Sequence, residues 1–335
     1  MRDPSYWWEK PGLVSRLLWP AAFVYGCIAA NRMRRPGQAA GIPVICIGNF
    51  TLGGTGKTPT VIALARWLAA GGERPFVLTR GYGGNLTGPV RVDATAHRAT
   101  DVGDEPLLLA RHAPVIVAHD RPAGAALAKD EGATVIVMDD GLQNPSLKKD
   151  FSIAVVDARR GLGNASVFPA GPLRAPLRAQ LACVNAILLI GRGTTAAQVA
   201  AMARAHDRPL FHARLEPKAE AVKAIGRKKV LAFAGIGDPE KFFSTLAETG
   251  IEAMAEESFP DHHVYTQADA ERLLARAEAG KLALLTTEKD MARLIGGEGA
   301  LATLRMRAKD LPVSLVIENE DALRSSIRKS LAASR

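Results

Sequence analysis

Short apolar runs alternate along the chain with polar, glycine-bearing clusters and with stretches of helical period. The runs at 42–47, 76–78, 115–117 and 134–138 are rich in β-branched residues and too short for helices. Apart from Thr134 they are apolar throughout, which predicts strands buried on both faces, as in a parallel sheet covered by helices. After the first run, Val61, Leu64, Ala65 and Leu68 recur on one helical face, and residues 101–106 lead into a helix beginning at Leu107. The last third repeats the pattern: runs at 230–234, 282–285 and 313–317 predict a second sheet, with helices near 240–249, 267–279 and 319–333. Glu216-Pro217-Lys218 and Gly226-Arg227-Lys228-Lys229 interrupt the apolar pattern between them. A chain of 335 residues is long enough for two domains. The expectation is an α/β protein with a larger domain at 39–220, a smaller α/β domain at 221–335, and a separate segment at 1–38.

That first segment differs from the rest. Residues 13–30 read LVSRLLWPAAFVYGCIAA, with Arg16 as the sole charge. As a helix they would extend about 27 Å at roughly 1.5 Å per residue, slightly short of the 30 Å or so of a bilayer's hydrocarbon. Arg16 lies near one end, where its long side chain reaches the headgroups. Trp7, Trp8 and Trp19 crowd this end of the chain, and Arg32, Arg34 and Arg35 follow the apolar stretch. Interfacial indoles and a basic flank predict a membrane-associated helix on an anionic leaflet. Pro20 and the marginal length leave spanning and interfacial placements both open.

Charge and cysteine usage narrow the partners. The chain carries 43 Lys and Arg against 34 Asp and Glu, a net +9, which favours phosphorylated substrates, an anionic membrane surface or nucleic acid. No zinc-finger spacing, RNA-recognition motif or long basic run supports nucleic acid, and no protein partner is predicted. Cys27, Cys46 and Cys183 are odd in number and widely spaced, which fits a reducing compartment and argues against a disulfide framework or CxxC metal site.

The chemistry begins where the first predicted strand ends. Gly48-Asn49-Phe50-Thr51-Leu52-Gly53-Gly54-Thr55-Gly56-Lys57-Thr58 follows it at once, and the helical pattern starts immediately after. Strand, glycine loop and helix in that order are the context of a P-loop. Thr51, Leu52, Gly53, Gly54, Thr55, Gly56, Lys57 and Thr58 are the expected ATP-binding loop. Its backbone N–H groups would cradle phosphate oxygens at a helix N-terminus. Lys57 would reach the terminal phosphates, and the Thr58 hydroxyl would ligate Mg²⁺. Thr51 stands where the common GxxxxGK[ST] form has glycine, so the match is to the GGxGK[ST] core. An ATP-using domain argues against a cleaved export signal at the N-terminus, since ATP is absent outside the cell.

A second nucleotide element should be a buried strand ending in acids, and the run 134–138 followed by Asp139-Asp140-Gly141 supplies it. Carboxylates at the C-terminal end of a parallel strand face the ligand crevice, where they can hold a metal. Arg80-Gly81-Tyr82-Gly83-Gly84 and His119-Asp120-Arg121 follow two other strand runs and fall on the same predicted edge. The fold expected is a P-loop, Rossmann-like three-layer domain, with the second, smaller α/β domain and the N-terminal membrane-associated helix.

With GNFTLGGTGKTP, RGYGG, VGDEP, MDDGLQ, PAGPLR and FPDHH in this order, the sequence resembles the tetraacyldisaccharide 4′-kinases over nearly its whole length. These lipid A pathway enzymes phosphorylate the 4′-hydroxyl of a tetraacylated glucosamine disaccharide 1-phosphate, forming lipid IVA. The resemblance implies two Rossmann-like domains, the smaller closing over the cleft. It also implies Mg²⁺, an acylated disaccharide lipid as acceptor, and the cytoplasmic face of the inner membrane of a Gram-negative bacterium. It assigns Lys57 and Thr58 to phosphate and Mg²⁺, Asp139 and Asp140 to the metal, and Gln143 to its vicinity. Asp104 matches the family's general base, oriented by a histidine of FPDHH; His262, next to Asp261, is favoured over His263. Arg80, Tyr82, Arg121 and Arg174 are expected ligands for phosphate or sugar.

One departure stands out. The family pattern PAGPLRE has an acid after the arginine, whereas this chain has Ala175 after Arg174, so any role of that acid is absent or moved. The competing function is a membrane-surface P-loop ATPase switch. Such proteins share GGxGK[ST] but carry a signature lysine near its start; Leu52 precedes the double glycine here.

Overall fold

The structure, a computed structural model, describes residues 3–334; residues 1, 2 and 335 of the expected domain ranges lie outside the described residues. The strands in chain order are β1 Val44–Gly48, β2 Pro75–Thr79, β3 Val90–Arg91, β4 Val115–Val117, β5 Val135–Asp139, β6 Phe151–Asp157 and β7 Ala186–Ile190. They continue with β8 Leu210–Pro217, β9 Val230–Ala234, β10 Ala253–Ser258, β11 Ala283–Thr286, β12 Ala308–Asp310 and β13 Val313–Ile317. Nine of them form one sheet in the order β13-β8-β7-β6-β1-β5-β2-β4-β3. Pairing is parallel from β8 to β4, with the antiparallel strands β3 and β13 at the two edges.

The strands β1, β2, β5, β6 and β7 are buried along their whole length. Alternate residues serve two cores: Ile45 and Ile47 pack on one face with the helix Lys57–Ala70, and Val44 and Cys46 pack on the other. That is why the apolar runs are continuous. The chain order reverses at β1, which lies between β5 and β6. A ligand crevice is expected at such a point, beyond the carboxyl ends of the strands. Register aligns its chemistry, because Ile47 of β1 stands opposite Asp139 of β5.

Four parallel strands, β10-β9-β11-β12, make the second sheet. Phe242, Phe243 and Leu246 of the helix Pro239–Glu248 cover one face, and Leu273 and Leu304 of two other helices join the core on the other. The expectation that 313–317 belongs to this sheet is corrected. β13 pairs antiparallel with β8 of the large sheet. The final helix Glu320–Ala333 buries Leu323, Ile327 and Leu331 in the large core, where Arg324 and Arg328 lie over the Trp67 ring. The small unit is therefore β9 to β12 with its helices, and the chain ends on the large one.

The N-terminal helix runs Leu13–Met33, continuous through Pro20. Ser15, Ala22, Gly26, Ala29 and Met33 form its buried face. Small residues let it approach closely: a Cβ on Gly26 would stand 3.3 Å from Pro176 Cγ. Leu13, Leu17, Trp19, Phe23, Val24 and Ile28 point outward. The expectation for the tryptophans is corrected in part. Trp7 is buried and donates to the Pro169 carbonyl at 3.2 Å, and Arg160 covers Trp8, leaving only Trp19 of the three on the outward apolar face.

Candidate active site

The P-loop leaves β1 with two of its glycines in the left-handed region, Gly53 at φ 95° and Gly56 at φ 92°. A Cβ on Gly56 would also meet Ile190 Cδ1 at 2.8 Å, so the turn into the helix Lys57–Ala70 requires glycine. The PAGPLR segment laces the start of this loop. Leu52 N–H donates to the Pro172 carbonyl at 2.8 Å, Arg174 N–H to Phe50 at 2.9 Å, and Arg174 Nε to Thr51 at 3.0 Å. The same guanidinium reaches Asp140 Oδ2 at 3.0 Å, and Lys57 Nζ lies 3.6 Å from Asp140 Oδ1. Burial alone would raise the Asp140 pKa, but Lys57 and Arg174 hold it below the usual carboxylate range.

Asp139 behaves oppositely. It is buried at the end of β5, and Oδ2 accepts the Thr79 hydroxyl at 3.2 Å. Burial, with Glu105 and Asp140 close by, pushes its pKa up to about 7. Asp139 Oδ1, Asp140 Oδ1 and Thr55 Oγ1 are buried without hydrogen-bond partners. Among the described residues no cluster of three or more His, Cys, Asp or Glu is built to hold a metal alone. Two carboxylates, each with one oxygen that accepts no hydrogen bond, beside a P-loop threonine fit Mg²⁺, which takes one or two protein carboxylates and completes its shell with phosphate and water. The Thr58 hydroxyl donates to Glu105 Oε1 at 3.3 Å.

Asp104 and Glu105 open the helix Asp104–Ala110, three residues earlier than the pattern predicts. Asp104 is buried and its oxygens are heavily engaged. Oδ1 accepts Glu105 N–H at 2.9 Å, while Oδ2 accepts Arg293 Nε at 2.6 Å and faces His262 Nδ1 at 3.2 Å. Burial opposes ionisation, but the His262 hydrogen bond and the Arg293 and Lys289 charges hold Asp104 well below the usual range. The same hydrogen bond raises the His262 pKa above its ordinary value. His262 sits at φ 56° on the turn after β10, beneath the exposed Tyr82 ring at 5.3 Å. His263 is satisfied elsewhere, stacked on Phe259 and 2.9 Å from Asp269 Oδ2. The small unit thus brings His262, Lys289 and Arg293 to one flank of the P-loop. On the other flank, Lys241 pairs with Asp157 at 2.8 Å and Asp238 with Arg159 at 2.5 Å.

A nucleotide loop, an acid pair at a strand end and a histidine delivered from a second sheet now stand together, and comparison with known proteins adds the family. The profile of the tetraacyldisaccharide-1-P 4′-kinase family matches residues 14–332. The chain belongs to this family. A tetraacyldisaccharide 4′-kinase of Bradyrhizobium sp. (strain ORS 278) is 51% identical over 335 residues, covering 100% of this chain and 99% of the relative. One from Rhodopseudomonas palustris (strain BisA53) is 52% identical, covering 100% and 97%. The structure is similar to the crystal structure of LpxK from Aquifex aeolicus in complex with ATP, at a TM-score of 0.73 and 26% identity, covering 95% of this chain and 100% of that one. This chain is an ATP-dependent kinase, and the reading as an ATPase switch falls.

In this kinase the remaining expected site residues are distributed unevenly. Arg80 and Tyr82 are exposed on the loop after β2, open to a ligand. Arg121 is buried and donates to the Ala118 carbonyl at 2.9 Å, which leaves little of it for a sugar or phosphate. Gln143 is a strut. Its amide nitrogen donates to the Asn49 carbonyl and to Gln180 Oε1, both at 2.7 Å, and no bond joins it to Thr58, Asp139 or Asp140. Ala175 is fully buried and packs with Ala29 and Met33 of the N-terminal helix. Sequence reasoning missed Glu105, Lys289 and Arg293. Lys289 pairs with Glu105, and Lys289 and Arg293 are one helical turn apart on the helix Glu288–Arg293. Two cations at that spacing, just after an apolar strand run, were the available signal.

Proposed function

We propose that the chain transfers the γ-phosphate of ATP to the 4′-hydroxyl of a tetraacylated glucosamine disaccharide 1-phosphate, at the cytoplasmic face of the inner membrane. The observation that carries this reading is the meeting of Asp104 and His262 from two sheets beside the P-loop acids, in a chain of this family. The P-loop amides and Lys57 bind the phosphates and compensate the charge that spreads over the transferred group. Thr58, Asp139 and Asp140 would hold Mg²⁺, which when bound neutralises charge on the phosphate oxygens. Arg174 ties Asp140 to the loop and keeps it ionised.

A sugar hydroxyl is a weak nucleophile, and taking its proton in the transition state contributes about 10²–10⁴-fold. Asp104 and His262 do this as a unit. One hydrogen bond joins them, lowering the Asp104 pKa and raising that of His262, so the two titrate as a pair. Because the histidine comes from the small unit, the pair is complete only when that unit is seated on the P-loop, which favours the sugar over water as acceptor. Arg80 and Tyr82 are the exposed groups that meet the sugar or its phosphate. The outward face of the N-terminal helix, with Leu17, Phe23 and Ile28, lies in the lipid that carries the acceptor. The deciding experiment follows γ-labelled ATP with purified protein and the acylated disaccharide 1-phosphate in mixed micelles. Label in the lipid, dependent on both substrates, is the expected result; label only in inorganic phosphate overturns the reading.

A further inference from the structure

The Asp104–His262 pair is held by a third side chain. Arg293 bonds one half of it and the turn that carries the other: Nε donates to Asp104 Oδ2 at 2.6 Å, with Nη2 at the same distance from that oxygen, and Nη1 donates to the Gly235 carbonyl at 2.5 Å. That carbonyl also accepts the backbone N–H of His262 at 3.2 Å. One guanidinium therefore spans the carboxylate on the large unit and the turn that presents the imidazole on the small one. The side chain is itself fixed from behind. Asp290, fully buried one turn earlier, accepts Arg293 Nη1 at 2.7 Å, the Tyr265 hydroxyl at 2.9 Å, the Thr287 hydroxyl at 2.7 Å and the Gly235 N–H at 3.1 Å. A Cβ on Gly235 would stand 3.1 Å from both Arg293 Nη1 and Asp290 Oδ1, so the turn fits tightly around the fork.

We infer that Arg293 is a positioning residue for the proton-accepting pair, setting the separation and alignment of Asp104 and His262 when the small unit seats. Only a planar fork can do this, since a lysine ammonium cannot reach Asp104 and the Gly235 carbonyl with the same geometry. The charged groups facing Asp104 are His262, Arg293 and Lys289, with Glu105 beside it in the chain. Lys289 is spent on Glu105, which leaves Arg293 as the permanently charged group bonded to Asp104, beside the titratable His262.

The inference rests on the reading of Asp104 and His262 as the proton acceptor, and the test separates the two. Full-length Arg293→Lys, Arg293→Met, Asp104→Ala and His262→Ala are compared with wild type on ATP and the acylated disaccharide 1-phosphate. The readouts are kcat, KM for ATP, the pH dependence of kcat/KM, and Tm. Arg293→Met should lower kcat by about tenfold or more with KM for ATP nearly unchanged, the mark of a lost transition-state contribution. It should also move the acid limb of the profile up by about one pH unit or more, because the neighbouring positive charge is gone. Arg293→Lys keeps the charge and loses the fork, so the limb should stay while kcat falls by about threefold or more. Wild-type kcat in folded Arg293→Lys overturns the inference even where Arg293→Met fails to fold, and so does a loss in folded Arg293→Met that follows Tm with the limb unmoved. If Asp104→Ala and His262→Ala are themselves active, the reading of the pair has failed; if both are inactive while Arg293→Lys is wild type, the inference alone has failed.

Discussion

Replacing Asp139 by Asn should abolish kinase activity and yet stabilise the nucleotide-free protein. Asp139 is buried at the end of β5, receives one hydrogen bond, from Thr79, and stands near Glu105 and Asp140. Those surroundings push its pKa from 3.8 up to about 7. The folded state therefore binds a proton more tightly than the unfolded chain. Below pH 3.8 both states carry it and nothing is lost; stability then falls as pH rises, and the full penalty is present above about pH 7. At about 1.4 kcal/mol per pH unit, the penalty reaches about 4 kcal/mol at pH 8 and about 2 kcal/mol at pH 5. Asparagine keeps an acceptor for Thr79 and removes the charge. Urea unfolding of wild type and Asp139→Asn in detergent, without nucleotide or Mg²⁺, should show the variant more stable by a few kcal/mol at pH 8 and by about half as much at pH 5. Saturating Mg²⁺ and ATP should narrow the gap, since ligand at about a hundred times Kd stabilises the protein that binds it by about 2.7 kcal/mol. A variant no more stable than wild type at pH 8, or a gain independent of pH, would refute the reasoning.

Lys57→Ala should keep its Tm within a few degrees and lose most of kcat, while nucleotide affinity measured by titration calorimetry falls less, because the lysine acts mainly on charge developed in the transition state. Asp104→Ala should lower kcat by about a hundredfold or more, and Asp104→Ala/His262→Ala should cost little beyond the worse single change; losses that multiply would separate the two residues. Deleting residues 1–31 should release the protein from anionic vesicles in sedimentation and impair turnover on acylated substrate. Salt should weaken only the part of wild-type binding due to Arg32, Arg34 and Arg35, and a full-length protein that ignores vesicles would sink this reading.

How far the sequence revealed this arrangement depended on how local each signal was. The P-loop was legible because GGTGKT between strand and helix is a local device, complete within a few residues. The buried strands β1, β2, β4 and β5 were legible because burial on both faces leaves a continuous apolar run. β6 and β7 carry the same local signal and went unread; what the runs themselves could not supply was long-range. β13 has the same apolar character as a strand of the second sheet, and only its antiparallel pairing with β8, almost a hundred residues away, assigns it to the first. The tryptophans were misread for a similar reason: an indole N–H near the N-terminus is satisfied equally well by an interface or by the Pro169 carbonyl, and the sequence does not contain that distance.

The site followed the same division. Asp104 and His262 were named from motifs, but their contact spans 158 residues and exists only where the two sheets meet. Arg293 and Lys289 carry no motif that the family resemblance supplied, because their partners Asp104 and Glu105 lie on the other unit. A helix with two cations one turn apart reads as a solvated surface until consecutive acids are found opposite it. Here burial decides the matter. The side chains of Arg293 and Asp104 are 5% and 6% exposed. Breaking a buried pair by removing one partner leaves an uncompensated charge, at a cost of about 3–5 kcal/mol. Since the two partners belong to different units, the pair is made only where one unit is seated on the other. The contact that aligns the proton acceptor is thus one of those that close the cleft, and the geometry of catalysis and the geometry of closure are set by the same few side chains.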